Sequence, residues 1–584
     1  MKEKSRKKAR PAARANSAAR RIGRMRLLAC GTVILFLLLG ARLFQLQILQ
    51  GEIYAQRARS QQTRKVALES RRGFILDRSG QELAVDLPQF YTLGVYPAQL
   101  TNKRRLCQEL ASFTGRPVSH YLNRLQSPSK YIYLEWRLTP PQADRLQALR
   151  IRGINLRKTS GRFYPYYRST SQLLGYTDVD GRGIAGLEVH CDEALHGHKG
   201  WETHQRSGRG VSFWDPLRSC AIPRDGGTVR LAIDIVAQDV LHHELQEAQT
   251  TYKAQWAGGV LLNPGTGEIL AICSVPDFDP LRPEAGSQSH HKLRPVTDLI
   301  EPGSVFKVVG AAAALDRGVF SAGDSIYCEE GSYRLANWVL RDVHPEGWLS
   351  FEDVLVYSSN IGLAKISEMI GSEELYRYAL RFGFGCPTGA EFPGEASGTV
   401  HSHNEWRSID RANIAMGQGL SATMLQVAMA FSAIANDGRL MRPYVVQEIR
   451  RGDESEVTQP VMVREVITPE TANTLTEMMK GVVDGITAIY AISVPGYRVA
   501  GKTGTASISV PGGYKPDSYI ASFAGFVPSD DPVLAMLVKI DEPKDVPWGS
   551  AVCAPVFARL ASAILPYLKV APDAPALVQG NPSE

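Results

Sequence analysis

The chain has 584 residues, with 44% hydrophobic and 21% charged side chains, 52 glycines and 34 prolines, which excludes wholesale disorder, collagen-like repeats and a polytopic membrane protein. At roughly 100–200 residues per domain, that length predicts several domains and a sizeable core. The formal charge of +7 does not signal nucleic-acid binding: residues 1–26 carry eleven Lys/Arg against one acid, Glu3, so the tail holds +10 and the other 558 residues are net −3.

In chain order, the basic tail 1–26 abuts an apolar run. Leu27 to Ala41 is free of charged and amide side chains. Continued through Leu49 as a helix, the run reaches about 35 Å, enough for a hydrocarbon core of about 30 Å, and Arg42 can snorkel from its off-centre place. No small-x-small cleavage site follows Ala41, so 27–49 is expected to be a retained signal-anchor. The Lys/Arg excess before it puts the N-terminus in the cytoplasm and the rest outside. Residues 50–225 mix short strand-like and helical pieces, and Ser207 to Gly227 reads as a linker with a final turn.

From there the texture is regular. Residues 228–235 alternate as a strand, 236–249 are helical, and 258–276 form a hairpin around Asn263-Pro264-Gly265-Thr266-Gly267. Residues 518–528 and 533–541 read as neighbouring strands and 554–568 as a closing helix, giving a second domain over 226–570 and a loose tail over 571–584. Cys30 lies in the apolar run. The other seven cysteines are scattered and odd in number, so buried free thiols are expected, with Cys191 and Cys220 the pair to join if a bridge forms. His190, His196 and His198 lack helical ligand spacing and read as a surface loop, so no metal site is expected.

Three short motifs carry chemistry. Ser304-Val305-Phe306-Lys307 follows Pro302-Gly303 and opens the apolar stretch VVGAAAAL, so i, i+3 spacing at a helix start sets hydroxyl and amine on one face. The same pattern at Ser5–Lys8, Ser127–Lys130 and Ser289–Lys292 opens no such helix. Ser358-Ser359-Asn360 enters a second helix, in contrast to its competitor Ser402-His403-Asn404. Lys502-Thr503-Gly504-Thr505 precedes a Gly-rich turn; on an edge strand it offers a cation and two hydroxyls to a carboxylate, with small residues that let an extended peptide approach.

With these motifs in this order, and with Ser70–Ala84, Arg162–Glu188, Gly417-Gln418-Gly419 with Thr423 and Gln426, and Ser522–Lys544, the chain resembles a class B penicillin-binding protein, division-type more than elongation-type. Val305, where a Thr is common, and Trp548-Gly549-Ser550, where Gly-Gly is usual, depart from the pattern without removing a catalytic group. The resemblance implies an α+β fold. A single transmembrane helix leads to an elongated mixed α/β pedestal (dimerisation-type) domain, then to a serine β-lactamase-like transpeptidase domain whose antiparallel sheet is covered by helices. It implies a peptidoglycan D,D-transpeptidase, septal in role and a target of β-lactams, that cross-links stem pentapeptides on lipid-linked precursor strands through a serine acyl-enzyme.

Ser304 would be the nucleophile, a neutral Lys307 its base and Ser358 the proton relay. Asn360 would hold the peptide, and Lys502, Thr503, Gly504 and Thr505 would bind substrate, with backbone N–H groups of Ser304 and Thr505 as the oxyanion hole. No cofactor is implied. Partners implied are a polytopic SEDS-type glycosyltransferase and other division proteins. A β-lactam sensor, a β-lactamase-like hydrolase and a catalytically dead scaffold are the rival readings. The 50–225 domain counts against the first two and the intact motif residues against the third.

Overall fold

The structure, a computed structural model, describes residues 12–206, 212–214, 219–490, 493–510 and 513–573; the outer basic tail with Ser5–Lys8, much of the expected linker and the end of the C-terminal tail lie outside them. The chain divides into two compact units, Met1–Ser70 with His198–Arg224, and Arg71–Gly197 with Asp225–Glu584.

In the first unit the helix Ala12–Phe44 continues into a π-helical stretch, Gln45–Leu49. Arg20–Leu49 is long and apolar enough to cross a membrane and is not buried. Within it Arg42 donates to Gln45 Oε1 at 2.7 Å, a pairing set by i, i+3 spacing. After the helix Gly51–Gln62, the strand Thr63–Leu68 pairs antiparallel with Gly200–Arg206, which also pairs with Ser212–Trp214. The expected linker is therefore partly folded back. Residues 212–214 form a strand, and Ala221 and Arg224 bridge to Trp201 and His198, satisfying backbone groups that a free linker would leave to water.

All eight cysteines are free. No Cys191–Cys220 bridge forms; Cys191 is buried and Cys220 exposed. His190 ends a short helix, Gly186–His190, rather than lying in a loop.

Beside three two-stranded sheets among the described residues, two large sheets organise the second unit. In one, the strands Glu454–Val457, Val446–Arg451, Thr228–Leu231, Ile75–Leu76, Glu82–Val95 and Ile132–Leu138 follow one another, with Ile154–Phe163 also on Glu82–Val95. Hydrogen bonding thus runs unbroken across residue 225. The strand expected over 228–235 stops at Leu231, because the Asp234 side chain accepts from Val236 N and Ala237 N and starts the helix Ile235–Thr251. The two N-terminal stretches singled out in the sequence meet in a buried ion cluster: Arg72 Nε and Arg162 Nε donate to opposite oxygens of Glu188 at 2.6 Å, and Arg72 reaches Asp192. Each buried charge has a partner, as burial demands.

The other sheet is five-stranded and antiparallel, in the order Ile269–Val275, Trp256–Leu262, Leu534–Asp541, Gly513–Val527, Ala500–Val510. Its three strands nearest the Ile269 edge are buried at every position, so they read as continuous apolar runs. The helices Met424–Ala435 and Ala554–Tyr567 pack into the same core. The Lys502 motif lies on the edge strand, paired to one neighbour only: Lys502 faces Ala524, Thr503 Phe523, Gly504 Ser522 and Thr505 Ala521.

Candidate active site

Ser304 lies in a single 3-10 turn, Gly303–Phe306, and Lys307 begins the α-helix Lys307–Asp316. The turn is seated on two glycines. Gly303 has φ +61°, and a Cβ there would come 2.9 Å from the Cβ of Ala506 on the edge strand. Gly417, at φ +80°, lies so close beneath that a Cβ would meet Gly303 O at 2.1 Å, and Gly303 N donates to Gly417 O at 2.9 Å. Only glycine permits that approach. Val305 is buried beside the Cα of Gly504, where a Cβ would stand 3.1 Å from Val305 Cγ1. The nucleophile turn is thus packed directly on the strand that carries the third motif, leaving the Ser304 side chain half-buried.

Ser359 caps the helix Asn360–Ile370, accepting from Gly362 N at 2.9 Å. Just before it Ser358 is held at φ +59°, a conformation a non-glycine residue adopts at a cost. That backbone turns its carbonyl onto Lys307: Lys307 Nζ donates to Ser358 O at 2.6 Å and to Asn360 Oδ1 at 2.8 Å, and stands 3.1 Å from Ser358 Oγ. The motif at Ser358, not the competitor at Ser402, supplies the partners of the lysine. Asn360 Nδ2 donates to Arg341 O at 3.0 Å, so this amide, whose oxygen accepts from the lysine, is itself held in place.

Lys307 and Lys502 are both fully buried. Burial, and then the like charge of Lys502, push the Lys307 amine well below its usual range, while Asp342 pulls the other way. Burial alone brings Lys502 down to about 7. A neutral Lys307 has two N–H donors, enough for the two carbonyl oxygens, and one lone pair with which it can accept a proton from the Ser358 hydroxyl; Ser304 Oγ makes no hydrogen bond to it among the described residues.

Sequence reasoning missed Asp342. Its carboxylate accepts from Ser359 Oγ, Asn360 N and Ile361 N (3.1 Å to the last), tying the second motif to the strand Trp338–Arg341. No local signal marks it, since it arrives through a hairpin. Glu301 was also passed over; it accepts from Gly419 N at 3.0 Å and from Tyr514 Oη at 3.2 Å, linking the nucleophile turn to the far end of the edge hairpin. Gln426 is structural: its Nε2 donates to Cys386 O and Ser397 O, both at 2.8 Å, and it completes a capping box with Thr423. Thr505 Oγ1 accepts from Gly549 N at 3.3 Å. A Cβ on Gly549 would stand 2.5 Å from Gly504 O, so of the Trp548-Gly549-Ser550 departure the one glycine kept is the one that touches the third motif. Lys130 and Lys292, the described lysines of the other S-x-x-K patterns, make no such constellation, and Lys8 lies outside the described residues. Among the described residues, the grouping able to ligate a metal is exposed His243 and Glu247 with half-buried Glu244, none of them in this site.

Comparison with known proteins places residues 257–562 in the family described as penicillin binding protein transpeptidase domain and residues 67–231 in the penicillin-binding protein dimerisation domain. Stage V sporulation protein D of Bacillus subtilis is 33% identical over 553 residues, 92% of this chain and 85% of that one. Peptidoglycan D,D-transpeptidase FtsI of Escherichia coli K12 is 31% identical over 568 residues, 95% of this chain and 94% of that one. Among solved structures, penicillin binding protein 3 of Mycobacterium tuberculosis, complexed with aztreonam, superposes with a TM-score of 0.67 at 26% identity, covering 88% of this chain and 100% of that one.

Proposed function

The chain belongs to the class B penicillin-binding proteins, and from that premise we propose which of its residues perform the reaction. It is a serine-type D-Ala-D-Ala transpeptidase that cross-links stem peptides of peptidoglycan, with a role in division. Ser304 attacks the carbonyl of the penultimate D-Ala and gives its proton to neutral Lys307. Ser358, within reach of that amine, relays the proton to the departing D-Ala. Backbone N–H groups of Ser304 and Thr505 hold the developing oxyanion, a donor type worth about 10²–10³ in rate. Lys502, Thr503 and Thr505 receive the terminal carboxylate, Gly504 lets the peptide lie against the edge strand, and Asn360 contacts its backbone. An amine from a neighbouring stem peptide then resolves the acyl-enzyme.

The observation that carries this reading is the fully buried Lys307, anchored to Ser358 and Asn360 and depressed by burial and by Lys502. Residues 50–225 act as the pedestal and 226–570 as the catalytic domain. The helix within Arg20–Leu49 anchors the protein with its N-terminus cytoplasmic and the catalytic domain outside, at the septum, and docks a polytopic glycosyltransferase of the SEDS type. Reconstitution with lipid-linked precursor and a glycan polymerase tests the reaction. Cross-linked muropeptides should form with the wild type and vanish with Ser304→Ala; cross-links that persist in the variant overturn the assignment.

A further inference from the structure

Far along the chain from the catalytic motifs, the strand Ile132–Leu138 pairs with Glu82–Val95, and its register slips: Gly94 faces Tyr133 while Leu93 faces Glu135. Leu134 is the extra residue of a β-bulge, a device that re-aims side chains. Leu134 and Glu135 are consecutive buried residues, while Tyr133 and Trp136 both turn outward, ring centroids 4.5 Å apart and 33° from coplanar. Tyr131 continues the row 5.2 Å from Tyr133, and Tyr96 lies 4.8 Å beyond Tyr131. Gly94 makes the room, since a Cβ there would stand 1.7 Å from the Tyr131 hydroxyl. Tyr96, Tyr133 and Trp136 are 39%, 38% and 39% exposed, so the stripe presents ring surface to solvent.

At the stripe opens a cleft of about 640 Å³, lined by Asn123, Arg124, Gln126 and Ser127 together with Ile132, Tyr133 and Trp136. The platform is braced from behind. Arg116 pairs with Glu135 at 2.6 Å, Tyr121 donates to Glu135, and Arg124 donates to Tyr133 O at 2.7 Å and Leu134 O at 3.1 Å. The Asn123 and Gln126 side-chain amides make no hydrogen bond to the described residues, and both are exposed at the cleft.

This pairing of surfaces has a specific chemical complement. A hexosamine ring has an apolar C–H face that lies against an aromatic ring and a rim of hydroxyl and acetamido groups that exchange hydrogen bonds with side-chain amides. A wholly apolar partner would strand those amides. The substrate of a peptidoglycan transpeptidase is a peptide borne on a chain of such sugars, and the Ser304 cleft accounts only for the peptide. We propose that the Tyr96–Trp136 stripe and its cleft bind the glycan backbone of peptidoglycan, a chain of N-acetylated hexosamines; the proposal rests on the transpeptidase reading for the identity of that chain.

The test uses the full chain in detergent, with chitohexaose and amidase-stripped, peptide-free glycan strands as probes, and binding read by calorimetry. Penicillin acylation is measured on the same preparations, and binding is repeated on penicillin-acylated protein to remove any contribution of the Ser304 cleft. Saturable binding should survive acylation, fall roughly tenfold or more in Trp136→Ala, and fall severalfold in Gln126→Ala, as for a central aromatic contact and a polar neighbour. Acylation should be unchanged in both variants, and circular dichroism and thermal unfolding matching the wild type certify the fold of the separately cored lobe that carries the stripe. Absence of saturable binding by wild-type protein that acylates normally overturns the proposal, as does undiminished binding by both variants. Failure of the wild type to acylate would instead strike the catalytic reading, and saccharide binding would still be judged on its own.

Discussion

Replacing Gly417 with alanine asks whether the nucleophile is held in place from beneath. The new Cβ would lie 2.1 Å from Gly303 O, 2.7 Å from its carbonyl carbon and 2.8 Å from its nitrogen. All three are backbone atoms of the residue preceding Ser304, so relief requires moving the chain and not merely rotating a side chain. Alanine at φ +80° costs about 1–2 kcal/mol, overpacking about 1–3, and the lost Gly303 N to Gly417 O bond about 1, so a destabilisation of about 3–6 kcal/mol is expected. Gly419→Ala is the matched control: φ is +72°, but the nearest atom to its Cβ is Ile414 Cγ1 at 3.9 Å, leaving only the conformational cost of about 1–2 kcal/mol. Denaturant midpoints and the second-order rate of acylation by a fluorescent penicillin read both effects. A displacement of about 1 Å at a reacting atom costs about 10²-fold, so Gly417→Ala should acylate about a hundredfold more slowly and Gly419→Ala within a few-fold of wild type. Equal acylation rates for the two variants would refute the claim that this contact positions Ser304.

Asp342→Asn removes the one negative group that raises the Lys307 amine, so Lys307 loses its proton at lower pH and the acid limb of the acylation profile should move to lower pH; a limb that stays or moves upward contradicts the assigned electrostatics. Lys502 is brought to about 7 by burial, and a bound carboxylate favours its charged form, so carboxylate-bearing substrate should take up a proton on binding above that pH and bind more weakly as pH rises. Calorimetric heats that do not vary with buffer ionisation enthalpy would exclude this. Among the described carboxylates, Glu188→Gln leaves buried Arg162 with only Asp86, 3.9 Å away, and buried Arg72 with Asp192 alone, and should cost about 3–5 kcal/mol in unfolding free energy, whereas a loss below about 1 kcal/mol would show that the cluster is not a buried, mutually compensating one.

What could be read from sequence was local. The Ser304 and Ser358 motifs sit at helix starts, marked within a dozen residues by Pro302-Gly303 and an apolar run in the first and by the Ser359 cap in the second, and the Lys502 motif sits in a strand bounded by a turn. The apolar run to Leu49 was legible for the same reason. Asp342 was not, because it reaches Asn360 through the hairpin of Ser332–Leu335 and Trp338–Arg341 and no spacing encodes that approach. Nor was the use of Gly417, whose importance lies in a backbone contact across more than a hundred residues of sequence. The Ser207–Gly227 stretch looked like a linker because its pairing partner, the strand Gly200–Arg206, shows itself only once folded. The bulge at Leu134 breaks the period of two, so a pattern reading puts Tyr133 and Trp136 on opposite faces when they share one.

The central claim is that Ser304 is the acylated residue. Incubation of the full chain with penicillin, followed by proteolysis and mass spectrometry of the peptides, tests it most directly. A single penicilloyl adduct on Ser304, absent from Lys307→Arg protein that remains folded, is the predicted result. An adduct on Ser358, Ser402 or any other residue, or normal acylation of Ser304 in the Lys307 variant, would contradict it.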